Sequence, residues 1–299
     1  MKNPYLNNEF FSRLETTALN LRADLAGVFG GKHLVKTYGQ TVEFADYREY
    51  MLGDDIRRID WNLYSRFEKY FLKLFTDERQ MHTRIFLDCS ASMGKDNPEK
   101  AAYATGFAAA LGFLSVHNMD RLSIRLIKGD RAINPFGTIV GKNSFYRAVG
   151  ELENITFDGD VDLEKAIVGC DDQGQNDGLT VVISDFFTDS DWRKAVDYLC
   201  YKKRQVILAQ VLSPEDIDPT YTGRVTLIDS ESEDIADERN MRINVTRGMQ
   251  NAYEQALYDY IAEIRAFCVT RDVGVATIKC NEPIERAVFG QLMNLGITE

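Results

Sequence analysis

Apolar residues in the second part of the chain recur in two alternating patterns. Short, nearly continuous apolar runs, such as "TRIFLD" (83–88) and "LTVVISDF" (179–186), are typical of strands that are buried on both faces of a sheet. Between such runs lie segments with apolar residues at helical spacing, such as "SFYRAVGELENI" (144–155). This alternation predicts an α/β domain over residues 79–299, with a doubly wound, mostly parallel sheet.

The other elements of this domain follow the same alternation. We predict further strands at "RLSIRLI" (121–127), "QVILAQVL" (205–212) and "VGVATIKC" (273–280), and helices at 101–117, 161–170, 191–203, 248–271 and 284–296. The helix at 101–117 is rich in small residues, which should let it lie close to the sheet. The stretch 224–246 is predicted to be an antiparallel excursion from the domain.

The first 78 residues lack this alternation and are predicted to form an extension that packs on the sheet domain. Residues 9–27 and 53–67 are predicted helices, the second with Asp54 or Asp55 as its N-cap, and 69–78 is a predicted strand. Acids, arginines and aromatic residues are interleaved within 42–79. Such a set can form Arg–carboxylate pairs covered by rings, so we expect it to fasten the extension to the domain. A docking surface for a partner protein is the alternative.

Charge and cysteine usage narrow the class of protein. Asp and Glu outnumber Lys and Arg 46 to 35 over 299 residues, a formal charge of -11. This argues against a nucleic-acid partner and against general affinity for anionic membranes. The five cysteines contain no C-x-x-C pair, and the sequence has neither a signal-peptide core nor an apolar run of the ~18 residues that a membrane span needs. We therefore expect a cytoplasmic protein without a membrane span.

The clearest chemical signal follows the predicted strand at 83–88. Asp88 ends that strand, and the hydroxyl residues Ser90 and Ser92 come at every second position after it. Asp185 ends the run "VVISD" (181–185) in the same way. Ligands of doubly wound sheets bind at the carboxyl ends of the strands. Four oxygen side chains at such an edge suit a hard, partly hydrated cation, so Mg²⁺ or Mn²⁺ is the expected cofactor.

These two segments resemble the von Willebrand factor A domains. "DCSAS" (88–92) is similar to the D-x-S-x-S signature of their metal-ion-dependent adhesion site, and "VVISD" is similar to the strand that carries its later aspartate. The resemblance implies a third loop with a threonine ligand, and "DGDVDLEKAI" (158–167) aligns there with Val161 at that position. A valine cannot ligate a metal, so Asp160 or Asp162 is a candidate substitute, or the metal is weakly bound.

A second resemblance covers most of the chain. The segment "VEFADYREYMLGDDIRRIDWNLYSRFEKYFLKLFTDER" (42–79) is similar to a hallmark of the bacterial and archaeal family called domain of unknown function 58. That family joins this segment to a von Willebrand A-like domain, and its genes typically lie beside those of MoxR-type AAA+ ATPases. The resemblance implies a MoxR-type ATPase, or the client protein of such an ATPase, as partner.

Three functions remain open at this point. The leading hypothesis is a non-catalytic, metal-dependent protein-binding module, because a metal with few charged ligands can accept a carboxylate from a partner. The first alternative is a Mg²⁺-dependent hydrolase or phosphoryl-transfer enzyme. Ser90 argues against it, since it stands where the haloacid-dehalogenase pattern needs a second acid. The second alternative is a structural scaffold with a vestigial metal site.

Overall fold

The computed structural model of the chain describes residues 3–20, 43–51, 54–76, 81–95, 97–170, 178–227 and 241–292. The chain divides into two units, residues 1–29 with 81–299 and residues 30–80. The predicted extension over residues 1–78 is therefore not one unit. Helix α1 (Asn8–Asn20) belongs to the sheet domain, because Phe10, Phe11 and Leu14 are buried in its hydrophobic core.

The smaller unit contains a hairpin and a short helix. Strand β1 (Glu43–Glu49), which the sequence analysis missed, pairs antiparallel with β2 (Phe71–Thr76). The helix predicted over 53–67 is wrong as a single element, because Ile59 forms a bridge to Leu72 of β2 and interrupts it. A 3₁₀ turn at Ile56–Arg58 precedes the bridge, and helix α2 (Trp61–Phe67) follows it. Asp55 caps the turn, and Asp60 caps α2.

Mixed charges and rings of the smaller unit contact one another. Arg48 pairs with Asp54 at 2.8 Å. The rings of Tyr64 and Tyr70 stack with centroids 4.6 Å apart. The expectation that this set fastens the unit to the sheet domain stays a prediction.

Within the described residues, the larger unit contains eight strands. They are β3 (His82–Asp88), β4 (Arg121–Lys128), β5 (Arg131–Ile133), β6 (Leu179–Ser184), β7 (Gln205–Leu212), β8 (Gly223–Leu227), β9 (Met241–Val245) and β10 (Gly274–Lys279). Six of them form one sheet in the order β10-β7-β6-β3-β4-β5, in which only the β4–β5 pair is antiparallel. The predicted mostly parallel α/β fold is confirmed. Strands β8 and β9 pair with each other as the predicted antiparallel excursion.

Helices cover both faces of the sheet, with a hydrophobic core on each side. The helices are α3 (Pro98–His117), α4 (Lys142–Leu152), α5 (Leu163–Val168), α6 (Trp192–Tyr201), α7 (Pro214–Ile217), α8 (Arg247–Val269) and α9 (Ile284–Arg286). One core joins the sheet to α1, α3 and α4, and the other joins it to α5, α6 and α8. The predicted helix at 284–296 changes to π geometry at Ala287–Leu292, and residues 293–296 lie outside the described part. In the part of the chain that is described, no helix has the length and apolar character that a membrane crossing requires.

Small residues let α3 lie close to its neighbours, as the sequence predicts. A Cβ atom on Gly112 would come within 2.8 Å of Leu122 on β4. A Cβ atom on Gly106 would come within 2.4 Å of the side chain of Tyr5. Helix α3 is therefore held between the sheet and the N-terminal segment, and its first turn is fixed at the carboxyl end of the sheet.

Candidate functional site at the carboxyl ends of the strands

The topology creates a crevice between β3 and β6. The chain leaves β3 toward β4 on one side, and later returns to β6 on the other side of β3. When the connections that leave two neighbouring strands run to opposite sides, an opening remains between them at the carboxyl ends of the strands. Asp88 ends β3, and Asp185 follows directly after β6, so both acids lie at this opening.

The carboxylate of Asp88 forms the floor of the site. It is only 2% exposed. Its Oδ1 accepts a hydrogen bond from the backbone N–H of Ser90 at 2.9 Å, and its Oδ2 accepts one from the hydroxyl of Ser184 at 2.6 Å. Burial and the nearby charge of Asp185 raise the pKa of Asp88 to about 6, against an ordinary value of 3.8. A cation placed beside Asp88 would therefore stabilise its ionised form.

Ser90 and Ser92 bring their hydroxyls together above this floor. Ser90 is the N-cap of a 3₁₀ turn at Ala91–Met93, and this turn places the two Oγ atoms 3.1 Å apart. The adjacent loop holds the turn in place, because the N–H of Ala91 donates to the carbonyl of Gly159 at 2.9 Å. The side chain of Cys89 is buried in the hydrophobic core, and this burial, together with the charge of Asp88, raises the pKa of its thiol to about 12, which disfavours a nucleophilic thiolate.

Asp185 is bound to a lysine that the sequence analysis missed. Lys100, in the first turn of α3, is 1% exposed. Its Nζ donates to Oδ2 of Asp185 at 2.8 Å, to Oδ2 of Asp216 at 2.9 Å and to the carbonyl of Ser92 at 3.3 Å. Burial alone lowers the pKa of Lys100, but the two carboxylates outweigh burial and raise it, so the side chain is an ammonium ion.

Asp216 belongs to the site as well and lies at the carboxyl end of a third strand, β7. It lies in α7, immediately after β7, where Ser213 and Asp216 form a capping box. The N–H of Ser213 donates to Oδ2 of Asp216 at 2.8 Å, the same oxygen that accepts from Lys100. The signal was present in the sequence as "SPED" (213–216) directly after an apolar strand. All four predicted residues, Asp88, Ser90, Ser92 and Asp185, thus belong to one hydrogen-bonded network with Lys100, Ser184 and Asp216.

The third loop lies beside the motif, but Val161 in this loop packs into a hydrophobic core. Val161 is 2% exposed and packs in the core with Phe86 and Phe186, so the expectation that it faces the site is wrong. Asp162 caps α5 and pairs with Lys165 at 2.7 Å, which leaves it poorly placed as a metal ligand. Asp160 is exposed, and its carboxylate accepts from the N–H of Val161.

The spacing of the two hydroxyls fits a hydrated hard cation. In an octahedral Mg²⁺ site with metal–oxygen distances of about 2.1 Å, adjacent ligand oxygens are about 3 Å apart. Ser90 and Ser92 match this with 3.1 Å between their Oγ atoms. No group of three or more His, Cys, Asp or Glu side chains within the described residues forms a ready metal cage. The residues therefore fit a cation that keeps several waters, and do not fit a dehydrated or thiolate-bound one.

Comparison with known proteins places the chain in a family. Residues 46–258 match the family described as "Protein of unknown function DUF58", and the chain belongs to that family. A relative in Mycobacterium bovis, the uncharacterized protein Mb1516, is 29% identical over 224 residues, which are 73% of this chain and 70% of the relative.

Two solved structures show a partial likeness. The conserved hypothetical protein BatB from Bacteroides thetaiotaomicron has a TM-score of 0.44 and 14% identity, over 73% of this chain and 100% of that chain. A von Willebrand factor type A protein from Catenulispora acidiphila has a TM-score of 0.32 and 9% identity, over 48% of this chain and 35% of that chain.

Proposed function

We propose that this member of the DUF58 family is a non-catalytic protein-binding module whose recognition site is the carboxyl edge of β3 and β6. The observation that carries the proposal is the convergence of two hydroxyls and two buried carboxylates at the crevice between these strands. Such crevices are where doubly wound folds bind their ligands.

In this proposal, a Mg²⁺ or Mn²⁺ ion completes the recognition site. The hydroxyls of Ser90 and Ser92 would hold the ion, with the carboxylates of Asp88 and Asp185 supplying negative charge behind them. Neutral hydroxyl ligands leave a divalent cation with most of its positive charge and with exchangeable waters. The bound ion would supply a positive contact for a carboxylate on a partner protein.

The proposed partner is a MoxR-type AAA+ ATPase or the client protein of such an ATPase. Support comes from the resemblance of residues 42–79 to the family hallmark and from the match of the chain to the DUF58 family. The net charge of -11 also favours recognition through a local cation, because an acidic protein does not attract carboxylates by its overall field.

Metal binding is the first test of this function. Isothermal calorimetry with Mn²⁺ should show one binding event in the wild type and none in the Ser90→Ala/Ser92→Ala double variant, because both proposed hydroxyl ligands are removed. Ser12→Ala, at an exposed position on α1, is the matched control and should bind Mn²⁺ as the wild type does. Equal Mn²⁺ affinity in the folded double variant would contradict the proposed site.

The enzyme alternative is less well supported by the geometry. Asp88 is buried, and both of its carboxylate oxygens already accept hydrogen bonds, so it is poorly placed to attack a substrate. We therefore expect no hydrolysis of nucleotides or phosphate esters above background with Mg²⁺ or Mn²⁺. Turnover that disappears in a folded Asp88→Ala variant would establish the enzyme in place of the binding module.

A further inference from the structure

The candidate metal site already contains a cation that belongs to the chain. The ammonium of Lys100 has three oxygen acceptors within 3.3 Å, and two of them are carboxylates. A buried ammonium with three acceptors has all of its N–H groups satisfied. Lys100 therefore does, for part of the site, what a bound metal would do: it neutralises the carboxylate of Asp185.

This position would put Lys100 in competition with a divalent ion bound at the site. Asp185 is buried and is one of the two carboxylates that would attract the metal. An ammonium at 2.8 Å from its Oδ2 cancels much of that attraction, and it repels a second cation placed nearby. Because Lys100 and Asp185 are both only 1% exposed at their side chains, water screens this effect weakly.

The second partner of Lys100 makes the competition reversible. Asp216 is 25% exposed at its side chain and holds the same Nζ atom at 2.9 Å. If a metal bound beside Asp185, the ammonium could keep its ion pair with Asp216 and its contact with the carbonyl of Ser92. Lys100 would then still have a charged partner, so no unpaired charge would be left in the protein interior.

We propose that Lys100 is a built-in competitor of the metal, which keeps the affinity of the site for divalent cations low. This inference rests on the proposed metal-dependent function and adds its regulation. Since a carboxylate from the partner would add a ligand to the ion, metal and partner would each strengthen the binding of the other. Lys100 therefore favours a site that is loaded with metal mainly when the partner is present.

The test is a Mn²⁺ titration of the Lys100→Met variant by calorimetry, with melting curves recorded with and without Mg²⁺. Removing the ammonium should tighten Mn²⁺ binding by roughly tenfold or more. The substitution should also lower the melting temperature in the absence of metal, because Asp185 and Asp216 lose their counter-ion. Adding Mg²⁺ should then raise the melting temperature of the variant by more than it raises that of the wild type.

The control is Lys165→Met, which removes the same charge at an ion pair with Asp162 outside the network. It should leave Mn²⁺ affinity at the wild-type value. If Lys100→Met does not fold, Lys100→Gln replaces it with the same expectation, since the amide can still donate to a carboxylate.

The outcomes separate the two claims. A Lys100 variant that binds Mn²⁺ only as well as the wild type overturns the competition and leaves the proposed metal site standing. Absence of Mn²⁺ binding in the wild type and in the Lys100 variants overturns the proposed metal-dependent function, and the competition with it.

Discussion

Replacing Asp88 with asparagine removes a carboxylate that the fold buries but that the unfolded chain exposes to water. Burial and the charge of Asp185 raise the pKa of Asp88 from 3.8 to about 6, so the folded protein holds a proton on this group more tightly than the unfolded chain does. A folded-state pKa that is raised gives stability below the unfolded pKa, and this stability is lost as the pH rises through the folded pKa. The relevant window therefore runs from about pH 3.8 to about pH 6.

The size of the effect follows from the two pKa values. The difference between 3.8 and about 6 corresponds to a loss of roughly 3 kcal/mol of stability when Asp88 ionises in the folded protein. Asparagine has a similar shape, keeps an oxygen that can accept from the N–H of Ser90, and carries no charge. Asp88→Asn should therefore be more stable than the wild type above pH 6, and the difference should shrink toward zero near pH 4.

Urea unfolding of both proteins in the presence of chelator, at intervals from pH 4 to pH 8, measures this difference directly. Asp120 provides a matched control, because burial also raises its pKa to about 6, and it accepts from the N–H of Met81 outside the network. The stability difference between Asp120→Asn and the wild type should vary with pH in the same way. Mg²⁺ should change this pH dependence only for Asp88→Asn. A stability difference between Asp88→Asn and wild type that does not vary across this pH range would refute the reasoning.

Two further predictions concern packing around the site. Val161→Thr should lower the free energy of unfolding by about 1–3 kcal/mol, because the new hydroxyl is buried among apolar side chains. Its Mn²⁺ affinity should equal that of the wild type. Tighter Mn²⁺ binding in calorimetry would show that residue 161 faces the metal. Gly106→Ala should lower the melting temperature, because its Cβ would come within 2.4 Å of Tyr5. Gly150→Ala in α4 is the control, because a Cβ atom on Gly150 would have no other atom within 4 Å. This variant should gain about 0.5–1 kcal/mol of stability from helix propensity. Equal effects of the two substitutions on stability would rule out the clash at Gly106.

The sequence predicts the sheet well because each central strand is apolar on both faces. "TRIFLD" and "LTVVISDF" are such runs, and they form the neighbouring strands β3 and β6. The helix over 53–67 fails for the opposite reason. Its interruption depends on the pairing of Ile59 with Leu72, a contact between residues distant in sequence that helical periodicity does not report.

The candidate site is predictable only where its residues follow strands directly. Asp88, Ser90, Ser92 and Asp185 stand at strand ends, and the order of the strands brings them together. Lys100 lies twelve residues after Asp88 in a helix, where a lysine is ordinarily solvated, so local sequence gives no sign of its burial. The loop that contains Val161 lies beside the motif, but the direction of the Val161 side chain is set by its packing in the hydrophobic core with Phe86 and Phe186, which the local sequence does not report.

The association of the chain with a purified MoxR-type ATPase from the same organism tests the central claim most directly. Biolayer interferometry in constant Mg²⁺ should show binding by the wild type and by Ser12→Ala, and a loss of affinity of at least about tenfold in the folded Ser90→Ala/Ser92→Ala variant, since the ion that would contact the partner is no longer held. Holding Mg²⁺ constant keeps the ATPase itself in one state. Equal binding by the double variant and the wild type would contradict a metal-dependent recognition site at this edge, and no binding by the wild type would contradict the ATPase as the partner.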